Sequence, residues 1–328
     1  MCRSAALAVA IGLLAACKQG AGDPSAPIRL GFFPNLTHAQ ALVGDAEGAF
    51  AKAAGAPVQT RQFNAGPAAM EALLAGDLDL CYVGPGPATI AHLRSQGEAL
   101  RVIAGAASGG AVLAARTARA PGDLAGKRVA SPQLGNTQDI ALRAWLGKQG
   151  LAIGDGAGAV RVTPLANPDI LALMKRGDLE AAWVPEPWGA RLRAEASAHV
   201  LVDERDLWEG RRFPTTVLVA SQRALSGRRA AVVALLRTHL ALTARWKEDP
   251  TAFARAANAA YGRLAGHPLP EPVLLDAFSR LEPTSDPLAA QLAEGARRAQ
   301  ALRFAPPGDL DRLVDRSLLE EALHAAAR

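Results

Sequence analysis

Short apolar runs alternate along the chain with longer segments of helical periodicity, a pattern that predicts parallel strands joined by crossover helices. In the first half we predict strands at residues 28–33, 58–63, 79–83, 101–104 and 112–116, with helices over 39–53, up to 76 and up to 95. In the second half we predict strands at 127–131 and 160–164, with helices over 138–148 and 169–176. The pattern therefore predicts an α/β protein built from two halves of the same plan.

Beyond residue 214 the character of the chain changes. A strand at residues 215–221 is followed by segments of helical periodicity, which predict helices over 229–247, 250–261, 271–279, 288–301 and 307–327. We expect these helices to pack outside the first half and to brace the connection between the halves.

One sequence pattern occurs in both halves. Residues 74–85 read LAGDLDLCYVGP, and residues 175–186 read KRGDLEAAWVPE. Each copy ends a helix at glycine, turns through Asp-Leu and an acidic residue, enters a short strand and leaves it after an aromatic residue and valine. Gly-Asp turns are common between helices and strands, but the shared order of elements favours two related lobes.

The chain begins with a targeting segment. A positively charged start precedes an apolar run of about a dozen residues, whereas a helix needs about twenty to cross a bilayer, so residues 1–16 read as a cleaved signal peptide. Leu14 to Cys17 resembles a bacterial lipobox, which implies that Cys17 is lipidated. Residues 17–27 are polar and contain Gly, Pro and Ser, so we expect a flexible tether that anchors the protein to a membrane of the cell envelope.

Composition narrows the functional class. The net charge of +5 is spread over isolated Lys and Arg residues, without the basic stripe of a nucleic-acid-binding protein. Once Cys2 leaves with the signal peptide and Cys17 is lipidated, only Cys81 remains, so neither a disulfide framework nor a cysteine zinc site is expected. We predict a first lobe over residues 28–117, a second lobe over 118–214, and a return to the first lobe with the C-terminal helices over 215–328.

Several stretches, taken in order, resemble the nitrate, sulfonate and taurine group of periplasmic binding proteins, which have the type II binding-protein fold. They are residues 30–39, 63–66, 75–79, 82–85, 126–130 and 183–188. The resemblance implies a monomer of two α/β lobes, each a mainly parallel sheet flanked by helices, that closes on a small solute. It also implies that the solute passes to an ABC-type permease and its ATPase. No cofactor and no metal is expected.

The candidate binding residues lie where strands give way to helices. In open parallel sheets ligands sit beyond the carboxyl ends of the strands, where helices present free N–H groups and the positive ends of their dipoles. The candidates are Asn35, Thr37, His38, Asn64, Gly66, Tyr82, Gly84, Pro85, Ser108, Asn136, Thr137, Asn167, Glu186 and Trp188. The Asn and Thr residues suit helix capping equally well. We expect Asn35, Tyr82 and Asn136 to line one common hollow.

The charge and polarity of these candidate residues limit the class of ligand that is expected. The cleft loops contain no Lys or Arg and only His38 could become cationic, which disfavours inorganic anions such as nitrate, bicarbonate and phosphate. Tyr82 and Trp188 suit flat apolar walls with polar handles. Glu186 either fixes the hinge or meets a donor on the ligand.

Catalysis is not expected, because the histidines are scattered without zinc spacing and Ser108 does not lie in a nucleophile elbow. The leading interpretation is a binding protein for a sulfonate-like or zwitterionic organic solute. Three alternatives stay open. They are a binding protein for an aromatic or heterocyclic solute such as a thiamin-precursor pyrimidine, a tethered ligand sensor, and an enzyme like the pyrimidine-forming thiamin-precursor synthase, whose cysteine-rich cluster has no counterpart here.

Overall fold

The computed structural model describes residues 26–324. The predicted signal peptide and Cys17 lie outside the described residues. The strands are β1 Ile28–Phe32, β2 Val58–Gln62, β3 Leu80–Val83, β4 Leu100–Gly109, β5 Ala111–Ala115, β6 Arg128–Ser131, β7 Arg161–Pro164, β8 Ala181–Pro185, β9 His199–Asp203, β10 Pro214–Ser221 and β11 Leu281–Pro283.

The α-helices follow the same order along the chain. They are α1 Ala39–Ala46, α2 Ala49–Ala54, α3 Gly66–Leu74, α4 Pro85–Arg94, α5 Thr137–Lys148, α6 Asn167–Arg176, α7 Trp188–Ala196, α8 Gln222–Gly227, α9 Arg229–Glu248, α10 Pro250–Ala265, α11 Glu271–Phe278, α12 Ala289–Ala301 and α13 Arg316–His324. Among these helices none is both long and apolar enough to cross a bilayer.

The strands form two sheets with matching topology. The first sheet has the order β11-β4-β10-β3-β1-β2 and the second the order β7-β6-β8-β5-β9. In the first, β3 lies beside parallel β1 and antiparallel β10; in the second, β8 lies beside parallel β6 and antiparallel β5. The two copies of the repeated sequence therefore contribute equivalent strands to different sheets. The predicted two-lobed α/β fold is confirmed, but the prediction of mainly parallel sheets is wrong, because β10 in the first sheet and β5 in the second pair antiparallel with both of their neighbours.

The chain first passes between the sheets at Gly109 and Gly110. Both adopt left-handed backbone angles, with φ of 75° and 71°. An added Cβ at Gly109 would lie 2.5 Å from the carbonyl oxygen of Arg280, so glycine is required on steric grounds as well. Since β5 pairs with β8 and β9, the passage precedes the predicted lobe boundary at residue 117 by several residues. Periodicity alone could not assign β5 to a sheet, because sheet membership depends on its distant partners.

Two predicted helices differ from the structure. The helix expected over residues 39–53 is divided into α1 and α2 at Gly48, whose φ is 66°. The helix expected over 307–327 begins only at Arg316 within the described residues, because the preceding segment pairs with β4. The N–H of Val102 donates to the carbonyl of Leu313 at 2.8 Å, and the N–H of Asp315 donates to the carbonyl of Val102 at 3.0 Å. Sequence patterns also missed β9 and β11.

Each sheet has apolar cores on both faces. In the first sheet, one core includes Phe32, Tyr82 and Trp246, and the core on the opposite face includes Cys81 and Val83. The C-terminal helices pack mainly on this lobe. Helix α11 also reaches the second lobe, where Asp276 pairs with Arg193 of α7 at 2.5 Å. These contacts agree with the bracing role expected for the C-terminal helices.

Candidate ligand-binding cleft

A small cavity lies between the two sheets. Its volume is about 20 Å³, roughly the space for one water molecule. Residues from the first lobe and from the second line it, namely Phe33, Asn35, Asn64, Ala65, Gly66, Gly84 and Pro87 from the first, and Pro132, Asn136, Thr137, Gln138, Asn167 and Pro185 from the second. A wider opening of about 450 Å³ shares Asn64, Ala65 and Pro132 with it. We call these two spaces together the cleft.

Four helices begin at the cleft, two from each lobe. Gly66 and Asn167 are the first residues of α3 and α6, and Gly84 and Asn136 are the N-caps of α4 and α5. Prolines in the first turns of α3, α4 and α6 remove N–H donors there, whereas α5 has none. The positive ends of four helix dipoles thus meet in one space, and α5 keeps the fullest set of backbone donors.

The walls of the cleft carry hydrogen-bonding groups without formal charge. Among residues 26–324, those lining either part of the cleft include no Lys, Arg, His, Asp or Glu. Their polar side chains are mainly carboxamides. The Asn136 side chain caps α5 by accepting from the N–H of Asp139 at 2.8 Å. Asn167 is only 6% exposed, and its Oδ1 has no hydrogen-bond partner in the described part of the chain. A buried amide without a partner is costly, so this oxygen is available to a ligand or water.

Two hydrogen bonds cross between the lobes at the cleft. The N–H of Gly86 donates to Oγ1 of Thr137 at 3.2 Å, which joins α4 to α5. The indole N–H of Trp188 donates to Oδ1 of Asn35 at 3.0 Å, which joins the start of α7 to the loop after β1. Together with the small volume of the inner cavity, these bonds define a closed arrangement of the lobes.

Seven of the fourteen candidate residues line the inner cavity. They are Asn35, Asn64, Gly66, Gly84, Asn136, Thr137 and Asn167. Trp188 lies behind Asn35 and contacts it. Pro85 begins α4 and lines a separate cavity of about 30 Å³. Thr37 is buried in the turn before α1.

The other aromatic candidate does not face the cleft, so the expectation that Tyr82 shares a hollow with Asn35 and Asn136 is wrong. Successive side chains of β3 point to opposite faces of the sheet, and Tyr82 points into the core beneath α9. Its hydroxyl is 3.0 Å from Nδ1 of His239. Because all four residues of β3 are buried, no alternation of polar and apolar residues marked which face holds the ligand.

The interpretation of His38 as a potential cation in the cleft is also wrong. The side chain is 2% exposed, and its ring lies 4.4 Å from that of Phe33, centroid to centroid. Its Nδ1 accepts from the N–H of Phe33 at 3.4 Å. Burial lowers the pKa of His38 to about 3, so the ring is neutral at physiological pH.

We predict that acid destabilises the protein partly through its buried histidines. Burial also lowers the pKa of His239 to about 4. Both rings bind protons more weakly in the folded than in the unfolded chain, so their contribution is complete above pH 6.5 and is lost as the pH falls from 6.5 towards 4 and 3. Each ring should contribute a slope of about 1.4 kcal/mol per pH unit within its window.

Urea unfolding between pH 7.5 and 5 measures this slope. His38→Phe keeps a ring beside Phe33 but removes the titrating group, so the slope should fall to the part due to His239. An identical slope in the wild type and the variant would show that His38 does not contribute.

Glu186 lies at the junction of the lobes and not in the cleft lining. Its carboxylate is fully buried, 3.3 Å from the Arg193 guanidinium and 3.7 Å from that of Arg280, and accepts from the N–H of Ala190 at 2.8 Å. Its own N–H donates to the carbonyl of Gly110 at 2.8 Å. Burial raises the pKa of Glu186, and Arg193 opposes that effect. These contacts support the interpretation that Glu186 fixes the hinge.

Sequence reasoning missed several cavity residues. Gln138 follows Asn136 and Thr137 in the first turn of α5, so its position at the start of a helix could have identified it as a cleft residue. Phe33, Pro132 and Pro185 follow or end strands of the two sheets, but apolar residues at such positions are indistinguishable from core residues. Within residues 26–324 no group of three or more His, Cys, Asp or Glu side chains is placed to hold a metal ion.

The fold and cleft define a two-lobed protein of the periplasmic-binding-protein class, and comparison with known proteins gives the family. Residues 21–261 match the model of the NMT1-like family, so the chain belongs to that family. A curated relative, the taurine-binding periplasmic protein of Escherichia coli (strain K12), is 32% identical over 174 residues, which cover 51% of this chain and 50% of the relative. The chain thus spans about half the length of this relative.

Solved structures share the fold over nearly the whole chain. The alkanesulfonate-binding protein SsuA from Xanthomonas axonopodis pv. citri, bound to MOPS, superposes with a TM-score of 0.70 at 21% identity, covering 90% of this chain and 97% of that one. The nitrate-binding protein NrtA from Synechocystis PCC 6803 superposes with a TM-score of 0.77 at 14% identity, covering 91% and 88%. Similarity at these identities establishes the fold alone.

Proposed function

We propose that this protein binds a small organic solute, sulfonate-like or zwitterionic, in the cleft and delivers it to an ABC-type importer. The single observation that carries the proposal is the convergence of four helix starts and uncharged carboxamides on one space between two lobes. Such a site supplies directed hydrogen bonds and dipoles to a polar ligand without an opposing charge. The similarity to a taurine-binding protein supports the same class of ligand.

The cleft suggests how such a ligand would be oriented. The first turn of α5 offers free backbone N–H groups of Thr137 and Gln138 to an anionic end. The unpartnered Oδ1 of Asn167 offers an acceptor to an ammonium or another N–H donor. A zwitterionic solute satisfies both ends, whereas a simple inorganic anion leaves the amide oxygen without a partner.

An aromatic or heterocyclic solute has less support. Of the aromatic residues proposed as walls, Tyr82 faces the core and Trp188 is bonded to Asn35. Only Phe33 and Phe63 supply rings to the described walls of the cleft. A heterocycle would therefore be held mainly by the carboxamides.

We further propose that the protein is a monomeric lipoprotein of the periplasm, anchored through Cys17, whose two lobes divide at residue 110. Its partners would be a membrane permease and a cytoplasmic ATPase. Lipid labelling of wild type and Cys17→Ala in cells would test the anchor. Purification of the anchored protein with a permease would favour transport, and purification with a sensor kinase would favour the signalling alternative.

The binding proposal is tested by calorimetry with taurine, MOPS and nitrate as probes. A ligand at a hundred times its dissociation constant should raise the free energy of unfolding by about 2.7 kcal/mol. We expect saturable binding of an organic sulfonate or zwitterion and weaker or absent binding of nitrate. No saturable binding across sulfonates, amino acids and heterocycles would contradict the proposed function.

Asn167→Ala tests the polar contact directly. The variant should bind the best probe about three- to tenfold more weakly, the loss expected for one hydrogen bond. Stability without ligand should be retained, because Oδ1 has no partner to lose. Gln59→Ala, on the exposed face of β2, is the control and should change neither quantity. Equal affinity of Asn167→Ala and wild type would remove Asn167 from the site.

A further inference from the structure

A second polar cavity, of about 240 Å³, lies beside the passage of the chain between the sheets. It is lined by Ser108, Arg205, Gly210, Arg211, Arg212, Arg280, Leu281 and Glu282. None of these residues lines the cleft. We call it the hinge arginine cavity. Its volume well exceeds the share of about 30 Å³ that one molecule has in liquid water, so a polyatomic ion has room there.

Both lobes contribute to the hinge arginine cavity. Ser108 belongs to β4, and Leu281 and Glu282 belong to β11, so these walls come from the first sheet. Arg205 lies two residues after the end of β9 in the second sheet. An occupant would therefore contact elements of both lobes on the hinge side.

The lining carries an excess of positive charge. Four arginines face one carboxylate, that of Glu282, which lies 3.1 Å from Arg212. Outside the lining, Asp203 is shared by Arg205 and Arg280, and Asp206 pairs with Arg211.

On its far side, Arg280 also faces Glu186 and Asp276, and Arg193 pairs with both of those carboxylates. These carboxylates balance the charge of Arg280 from outside the cavity lining. The acceptors at the cavity itself are few compared with the five N–H donors that each guanidinium carries.

One buried donor in this lining has no acceptor near it. Nε of Arg212 is buried without a hydrogen-bond partner among residues 26–324, whereas Nε of Arg280, which also makes no hydrogen bond, lies 3.7 Å from the carboxylate of Glu186 outside the lining. Ser108 is 1% exposed, and its Oγ accepts from the N–H of Phe213 at 3.3 Å. Buried guanidinium donors without acceptors are rare in folded proteins and indicate a missing partner such as an ion or water.

The backbone of the rim is held in an unusual conformation. Gly210 and Arg211 have φ values of 63° and 58°, and the second is a left-handed angle that non-glycine residues rarely adopt. This turn brings Arg211 and Arg212 to the cavity one after the other. Such conformations persist where the surroundings enforce them, often at binding sites.

We propose that the hinge arginine cavity binds a small inorganic oxyanion of the sulfate or phosphate class. The planar fork of each guanidinium matches such oxygens in two-point hydrogen bonds. Bound there, the anion links β4 and β11 of the first lobe to the segment after β9 of the second. This site is independent of the solute cleft and of the function proposed for it.

Calorimetry with sodium sulfate and sodium phosphate, at ionic strength held constant with sodium chloride, tests the proposal on the full chain. The wild type should bind one anion per chain saturably. Arg211→Gln and Arg212→Gln should each weaken binding by about tenfold or more, the loss expected for a charge-assisted hydrogen bond. Arg297→Gln, an exposed arginine of α12, is the matched control and should bind like the wild type.

A fourth variant separates an anion site from a structural ion-pair network. Glu282→Gln removes the carboxylate that competes for Arg212, so anion binding should become tighter. Absence of saturable binding in the wild type, or equal affinity in the wild type and both arginine variants, would overturn the proposal. Weaker binding by Glu282→Gln would also overturn it, since that result is expected of a network that needs its carboxylate.

Discussion

Gly84→Ala should weaken solute binding while leaving the fold intact. A Cβ added at this position would overlap Oγ1 of Thr137 across the cleft, whereas nothing on its own lobe comes closer than ordinary contact. The backbone angles of Gly84, φ −65° and ψ 147°, suit alanine, so the substitution adds no local strain. The clash exists only when the lobes are closed.

The size of this effect follows from the overlap. Forcing an extra carbon into a packed contact costs about 1–3 kcal/mol, which corresponds to about five- to 150-fold in affinity. Because the binding-competent closed state becomes less populated, the apparent dissociation constant rises in proportion. Calorimetry with the best probe measures the affinity, and urea unfolding without ligand should show an unchanged midpoint.

Two further variants isolate the cause. Gly147→Ala in α5 adds the same methyl group where no heavy atom lies within 4 Å, and should bind like the wild type. Thr137→Ala removes the overlapping hydroxyl, so the double variant should regain affinity relative to Gly84→Ala. An affinity of Gly84→Ala equal to that of the wild type would mean that closure does not bring α4 and α5 together.

The largest loss of stability is expected from Glu186→Ala. The substitution removes the fully buried carboxylate shared by Arg193 and Arg280, which are both mostly buried, and leaves them only the more exposed Asp276 as a shared partner. Breaking a buried ion pair by removing one partner costs about 3–5 kcal/mol. The free energy of unfolding, measured with urea at pH 7, should fall by that amount.

Glu294→Ala supplies the control for charge removal. Glu294 pairs with Arg297 and Arg298 near the surface of α12, where such pairs contribute about 0–1 kcal/mol. Equal losses in the two variants would show that the Glu186 pairs contribute no more than surface pairs. If Glu186 fixes the hinge without touching solute, Glu186→Gln should also keep the affinity of the folded protein.

Local patterns predicted the parts of the structure that depend on neighbouring residues. Strands β1, β2 and β3 and helices α5 and α6 lie within a residue or two of their predicted bounds, because apolar runs bounded by turn residues mark where such elements begin and end. Asn136 and Asn167 were identified for the same reason, since residues that begin helices after strands are recognisable from the sequence alone.

Features that depend on distant partners were not predictable. The sequence does not show on which face of the sheet Tyr82 lies, because all residues of β3 are buried. The assignment of β5 to the second sheet, and the pairing of Val102 with the segment before α13, require contacts between residues far apart in sequence. The burial that neutralises His38 likewise comes from the assembled core.

The position of β10 in the first sheet determines when that sheet can be completed during synthesis. This strand lies between β3 and β4, yet the ribosome makes it only after the entire second lobe. Until β10 is synthesised, β4 lacks both of its neighbouring strands and one edge of β3 is unpaired. An unpaired strand edge can form hydrogen bonds with other chains and so favours aggregation. In a nascent chain that has completed β9, the first lobe is therefore still incomplete, and these strand edges stay unpaired until residue 221 has emerged from the ribosome.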